Sequence, residues 1–125
     1  MKVIVIDDDP VTLELTQAML ESLGHEVVTL KSPIGAAAVL LRERPDLALV
    51  DVEMPGISGD DWLGLIREKK LLGEDLSVDF VLYSGLPAED LERLAKKTGA
   101  LGAIHKEGHP ASFIAAFQRI TESGA

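Results

Sequence analysis

Residues 47–56 read Leu47-Ala48-Leu49-Val50-Asp51-Val52-Glu53-Met54-Pro55-Gly56. The apolar run has no polar alternation and lies between Pro45-Asp46 and Pro55-Gly56, which predicts a short strand buried on both faces, as in a parallel sheet. Asp51 then stands at the strand's carboxyl end. In open α/β sheets that edge is where ligands bind, so the carboxylate reads as a site residue; taken alone, the segment fits a capping or turn aspartate equally well.

Upstream, Val3-Ile4-Val5-Ile6 is a β-branched strand ending at Asp7-Asp8-Asp9. Pro10 supplies a preset first helical residue, with Asp9 placed to cap it. Val11, Leu15, Met19 and Leu23 recur every four residues and predict the inward face of this first helix, which Gly24 ends. Residues 27–30 predict a second strand. Ser32-Pro33 opens a second helix, packed inward over residues 36–41 and stopped by Pro45.

Downstream, Ser58 followed by Asp61 resembles a capping box for a third helix carrying Leu63 and Ile66, with Trp62 partly buried, running towards Lys70 until Gly73 breaks it. Phe80-Val81-Leu82-Tyr83 predicts a fourth strand ending at Ser84-Gly85, with Tyr83 in the core. Pro87 starts a helix with Leu91, Leu94 and Ala95, closed by Gly99. Residues 101–105 form a fifth strand reaching Lys106, and Pro110 opens a last helix whose Phe113, Phe117 and Ile120 share one face. Five strand–helix units in alternation predict one domain over residues 1–125: an α/β doubly wound, flavodoxin-like fold with a parallel sheet, right-handed crossovers and helices on both faces.

With 46% apolar residues among 125, the chain can fill one core. Its net charge of −9 opposes contact with phosphate backbones and anionic membranes, so direct nucleic-acid or membrane binding is not expected. It has no cysteine, which excludes disulfides and thiolate metal sites. Only four apolar residues follow Met1-Lys2 before Asp7, too few for a signal peptide, and no run is long enough to span a bilayer; the expected compartment is the cytoplasm.

In such a fold Asp7, Asp8, Asp51, Ser84 and Lys106 converge on one sheet edge despite their separation in sequence. Clustered carboxylates repel one another, and an oxygen-rich cluster suits a hard divalent cation such as Mg²⁺. Lys106 can meet a phosphoryl oxygen as a point charge, Ser84 can donate a hydrogen bond, and Gly85 lets the backbone come close; the pocket reads as a phosphoryl site. His25, His105 and His109 lack ligand-like spacing and are read as helix-flanking or surface residues.

Those residues, with the run Arg44-Pro45-Asp46-Leu47 through Asp51-Val52-Glu53-Met54-Pro55-Gly56-Ile57-Ser58-Gly59, resemble the receiver domain of two-component response regulators over essentially the whole chain. The resemblance implies strand order 2-1-3-4-5 and a signalling phosphoacceptor rather than an enzyme. Asp51 would accept the phosphoryl group; Asp8 and Asp51 would coordinate Mg²⁺ with Asp7 in support and the Glu53 backbone carbonyl as a further ligand; Ser84 and Lys106 would hold phosphoryl oxygens. Glu53 and Leu86 would stand where the family tunes hydrolysis. Implied partners are a sensor histidine kinase or histidine phosphotransfer protein, an effector domain or target protein, and a second copy through the face made by helix four, strand five and helix five. Two positions depart from the family. Ala103 stands where a switch aromatic is usual, and Glu107 follows Lys106 where proline is usual, which predicts a looser 106–110 loop and an acid competing for the lysine.

Two other readings remain. A pseudo-receiver would keep the fold and work without phosphate. A haloacid-dehalogenase-type phosphatase would read Asp7-Asp8-Asp9-Pro10-Val11 as its motif, with Asp7 as nucleophile and Asp9 as general acid, leaving Asp51 and Glu53 without a role.

Overall fold

In a computed structural model describing residues 1–73, 77–106 and 109–123, the ten elements alternate: β1 (Lys2–Ile6), α1 (Pro10–Ser22), β2 (Glu26–Leu30), α2 (Ala36–Glu43), β3 (Leu47–Asp51), α3 (Gly59–Glu68), β4 (Asp79–Ser84), α4 (Ala88–Thr98), β5 (Gly102–His105) and α5 (Pro110–Ser123). The strands form one parallel sheet in the order β2-β1-β3-β4-β5, the flavodoxin-like order expected above. Glu107 lies outside the described residues, so the expectations about it stop at the sequence.

β3 lies between β1 and β4 and is buried at all five positions, which explains why its sequence shows an unbroken apolar run. Side-chain alternation divides the core. Ile4, Ile6, Ala48, Val50 and Leu82 pack with Leu40, Leu63, Ile66 and Leu91 from α2, α3 and α4. Val3, Val5, Leu49, Val81 and Tyr83 pack with Leu13, Leu20, Phe113 and Phe117 from α1 and α5. Helices pack on both faces of the sheet, which leaves the carboxyl ends of the strands free to gather side chains at one edge.

Several elements depart from their sequence pattern. Leu13, Thr16 and Leu20 are the buried stripe of α1, whereas Val11 and Leu15 are 62% and 58% exposed, and Met19 and Leu23 only border the core. A polar Thr16 in the inward stripe hid it from an apolar count, so the spacing-of-four pattern selected the neighbouring stripe instead. Ser32-Pro33 begins a turn, with the Ser32 hydroxyl accepting from Ile34 N at 3.1 Å, and α2 starts only at Ala36, after Gly35 at φ 77°. Its Leu41 is exposed. α3 ends at Glu68, ahead of the expected Gly73, because Lys70 takes a left-handed φ of 50°. Trp62 is buried rather than partly buried, edge-on to Phe80. No helix among the described residues is long and apolar enough to cross a membrane.

Candidate functional site

β1 delivers Asp7 to the carboxyl edge, and the Asp7 N–H bonds to the Leu30 carbonyl at 3.0 Å, continuing the ladder. The Asp7 side chain is fully buried: Oδ1 accepts from Asp9 N at 2.9 Å, and Oδ2 lies 2.9 Å from the Lys106 ammonium. Asp8 next to it is exposed. Asp51 ends β3 with 2% exposure; its Oδ1 accepts from Glu53 N at 3.1 Å and lies 3.0 Å from Lys106 Nζ. Lys106 follows β5 directly and is anchored by its own N–H to the Ser84 carbonyl at 2.7 Å. The structure thus brings together Asp7, Asp8, Asp51, Ser84 and Lys106 as the sequence predicts.

Charge and burial compete here. Burial pushes the Asp51 carboxyl up to about 6 and the Asp7 charge adds to that rise, while Lys106 and the Glu53 N–H pull against it. Burial alone would lower the Lys106 ammonium, but hydrogen bonds and charge from Asp7 and Asp51 outweigh it and hold Lys106 above its ordinary value. One ammonium serves two buried carboxylates, so the edge remains rich in negative charge. Asp7, Asp8 and Asp51 each offer an oxygen within 4.8 Å of the others. Such a hard-oxygen donor set, with one exposed carboxylate beside two buried ones, fits Mg²⁺, which keeps several waters and takes few protein ligands.

Two contacts have no counterpart in the sequence reading. Ser84, fully buried at the end of β4, donates its hydroxyl to Glu53 Oε1 at 2.8 Å and accepts from Leu86 N at 3.0 Å. The Glu53 side chain thereby takes part in the site, beyond the backbone carbonyl expected of it. No periodicity could reveal this, because the contact joins the end of β4 to the loop after β3. Gly59, the first residue of α3, bonds through its N–H to the Val52 carbonyl at 2.9 Å, and a Cβ there would overlap the Asp51 carbonyl oxygen. A glycine immediately after the Ser58 cap was its available signal. Gly85, by contrast, faces open space.

Asp9 is the cap of α1: Oδ1 accepts from Val11 N at 3.1 Å and Oδ2 from the Thr12 hydroxyl at 2.7 Å. The Thr12 bond, then the Val11 bond, holds its carboxyl below the usual range. An anion occupied in this way is poorly suited to general-acid work, and the phosphatase reading is not favoured. Of the histidines, His25 packs edge-on to Phe117, His109 is exposed ahead of α5, and His105 reaches the Gly85 carbonyl. Tyr83 lies in the core against Phe113, as expected.

Residues 3–118 match the family model described as the response regulator receiver domain. Over 66 residues the chain is 41% identical to sensor protein GacS of Pseudomonas syringae, a match covering 53% of this chain and 7% of that protein. The chain thus spans a small fraction of that relative's length. Among solved structures, Vibrio cholerae chemotaxis protein CheY4 superposes with a TM-score of 0.79 at 23% identity, covering 95% of this chain and 97% of that one. The beryllofluoride-activated N-terminal receiver domain of Klebsiella pneumoniae RstA gives 0.78 at 28% identity, covering 94% and 96%.

Proposed function

The chain belongs to the response regulator receiver domain family, and from that premise we propose that Asp51 accepts a phosphoryl group from phosphohistidine on a sensor kinase or histidine phosphotransfer protein. The observation that carries the reading is the position of Asp51: a buried carboxylate at the carboxyl end of the central strand, 3.0 Å from Lys106 and beside Asp7 and Asp8.

The Glu53 N–H and the Lys106 ammonium both meet Asp51 at Oδ1. The other oxygen, Oδ2, is the nucleophile; as its bond to phosphorus forms, the phosphorus–nitrogen bond of the donor breaks and the electron pair leaves with the imidazole. The product is an acyl phosphate on Asp51. Lys106 stays within reach to neutralise a phosphoryl oxygen, and the Ser84 hydroxyl, once released from Glu53, donates to another. Asp8, Asp51 and the Glu53 carbonyl, with Asp7 in support, would hold Mg²⁺, which when bound would supply the remaining neutralisation of phosphoryl charge. A change at Ser84 then biases the α4–β5–α5 face towards a target, an effector domain or a second copy. Its chemistry on itself, gaining and losing phosphate, is signalling rather than turnover of a substrate pool, and the acidic domain acts in the cytoplasm without contacting nucleic acid.

Intact mass after incubation with Mg²⁺ and acetyl phosphate tests this. One phosphoryl adduct is expected, dependent on Mg²⁺ and absent from Asp51→Asn. Adduct formation that survives in Asp51→Asn, or no adduct together with no response to beryllofluoride, overturns it.

A further inference from the structure

Where the family resemblance puts a switch aromatic, this chain has Ala103, half-buried against the core on the α2–α3–α4 side of the sheet. Ile104 points to the opposite face, into the cluster with Phe113 and Phe117. Strand alternation returns the next side chain, His105, to the Ala103 face one step nearer the site. His105 is paired in register with Ser84, and its Nε2 lies 3.2 Å from the Gly85 carbonyl. A carbonyl oxygen only accepts, so Nε2 carries the proton of this bond.

The surroundings of that ring differ on its two sides. On one is the 84–86 segment, whose Ser84 hydroxyl is held by Glu53 in the structure. On the other is a cleft of about 670 Å³ between α4 and α5, lined by Leu91, Ala103, His105, Ala116 and Arg119 among others. A methyl group at 103 leaves that cleft open, and the His105 ring has volume to turn into. A phosphoryl oxygen competes with the Glu53 carboxylate for the same Ser84 hydroxyl. Moving Ser84 towards it moves the peptide that ends in the Gly85 carbonyl, and the His105 hydrogen bond is a side-chain link from that peptide to β5.

We infer that His105 is the positioning residue that transmits the state of the Ser84–Gly85 segment to the α4–β5–α5 face, through a hydrogen bond from Nε2 to the Gly85 carbonyl. The inference rests on the phosphoacceptor reading above and goes beyond it by naming the reporting residue. The proposal places His105 after Asp51 in the chain of events, so phosphorylation itself does not depend on it; the response of the distant face does. The two discrete arrangements are ring bonded to Gly85 and ring released into the cleft.

The test compares ¹⁵N-labelled wild type, His105→Ala and His105→Gln, each with Mg²⁺ before and after beryllofluoride. In wild type, amides beside Asp51 and Ser84 shift and so do those of residues 101–103 and 115–119, while long-range imidazole ¹⁵N spectra show the His105 Nε2 signal changing as its bond is lost. In His105→Ala the shifts beside Asp51 persist and those of the α4–β5–α5 face disappear; His105→Gln, which keeps a donor at a comparable reach, restores them. A distant face that responds equally in His105→Ala overturns the proposal, as does a wild-type Nε2 signal that beryllofluoride leaves unchanged, a measurement needing no variant. Absence of any beryllofluoride shift in wild type points instead to failure of the phosphoacceptor reading, and the inference falls with it.

Discussion

Asp51→Asn is expected to stabilise the metal-free protein near neutral pH. The folded Asp51 carboxyl titrates at about 6 against an ordinary 3.8, with burial as the main cause. For an acid raised on folding, the native state binds the proton more tightly than the unfolded chain, so stability falls as pH rises from about 4 to about 6 and is level beyond. At ~1.4 kcal/mol per tenfold change in proton affinity, the full difference is about 3 kcal/mol. Water around exposed Asp8 and half-buried Lys106 screens part of it, leaving an expected gain of about 1–2 kcal/mol for the uncharged amide. Urea unfolding followed by fluorescence of the single tryptophan, Trp62, buried edge-on to Phe80, reads this directly. At a slope of roughly 1–2 kcal/mol per molar urea, the midpoint rises by about 0.5–2 M near pH 7.5 and by about half as much near pH 5. Added Mg²⁺ closes the gap by stabilising wild type alone. A variant no more stable than wild type near pH 7.5, or a gap that does not shrink on acidification, would falsify the argument that burial of this charge dominates the site.

Lys106→Met leaves Asp7 and Asp51 buried without their shared cation; since Lys106 is itself a quarter exposed, a loss of about 2–3 kcal/mol near neutral pH is expected. Denaturation at lower pH should recover part of it as Asp51 protonates, and a pH-independent loss would point to lost packing instead. Gly59→Ala forces a Cβ into the Asp51 carbonyl, so a loss of about 1–3 kcal/mol and a weaker Mg²⁺-induced rise in melting temperature are expected, while Gly85→Ala, with open space around it, should leave melting unchanged. Burial holds the His25 imidazole below its ordinary value of 6.5. A base depressed on folding contributes stability that is present above about 6.5 and is lost as pH falls through its folded value. Melting temperatures of His25→Gln should therefore decline less than those of wild type between about pH 7 and pH 5.

The legible part of this molecule was the part fixed by strand ends. Once five apolar runs alternate with helices, a parallel sheet must bring their carboxyl ends to one edge, and Asp7, Asp8, Asp51, Ser84 and Lys106 meet there whatever the side chains between them do. Chain direction set that result, so it could be read without coordinates. The helix faces were less legible. α1 carries two candidate stripes, and what decides between them is which one meets the residues of α5, a fact of packing and not of spacing. Thr16 fills an inward position, and Val11 and Leu15 stay in water.

The Glu53–Ser84 bond was invisible for a different reason. It spans 31 residues, from the loop after β3 to the end of β4, and depends on rotamers that no periodicity encodes. Its consequence for the site is direct. Ser84 has one hydroxyl proton, and in this structure Glu53 has it, so a carboxylate holds the donor that a phosphoryl oxygen would need. Charge favours the exchange, since a phosphoryl group on Asp51 brings negative oxygens towards the Glu53 anion and repels it. Glu53→Gln removes that repulsion while preserving an acceptor, whereas Glu53→Ala removes both. If Glu53 restrains Ser84 as the geometry indicates, beryllofluoride affinity in the presence of Mg²⁺ should rise several-fold in Glu53→Ala and change less in Glu53→Gln, a difference of about 1 kcal/mol for one charge-assisted hydrogen bond. Titration calorimetry distinguishes the outcomes: equal affinities in all three proteins would mean that Ser84 leaves Glu53 at no cost, and that the restraint on the switch lies elsewhere.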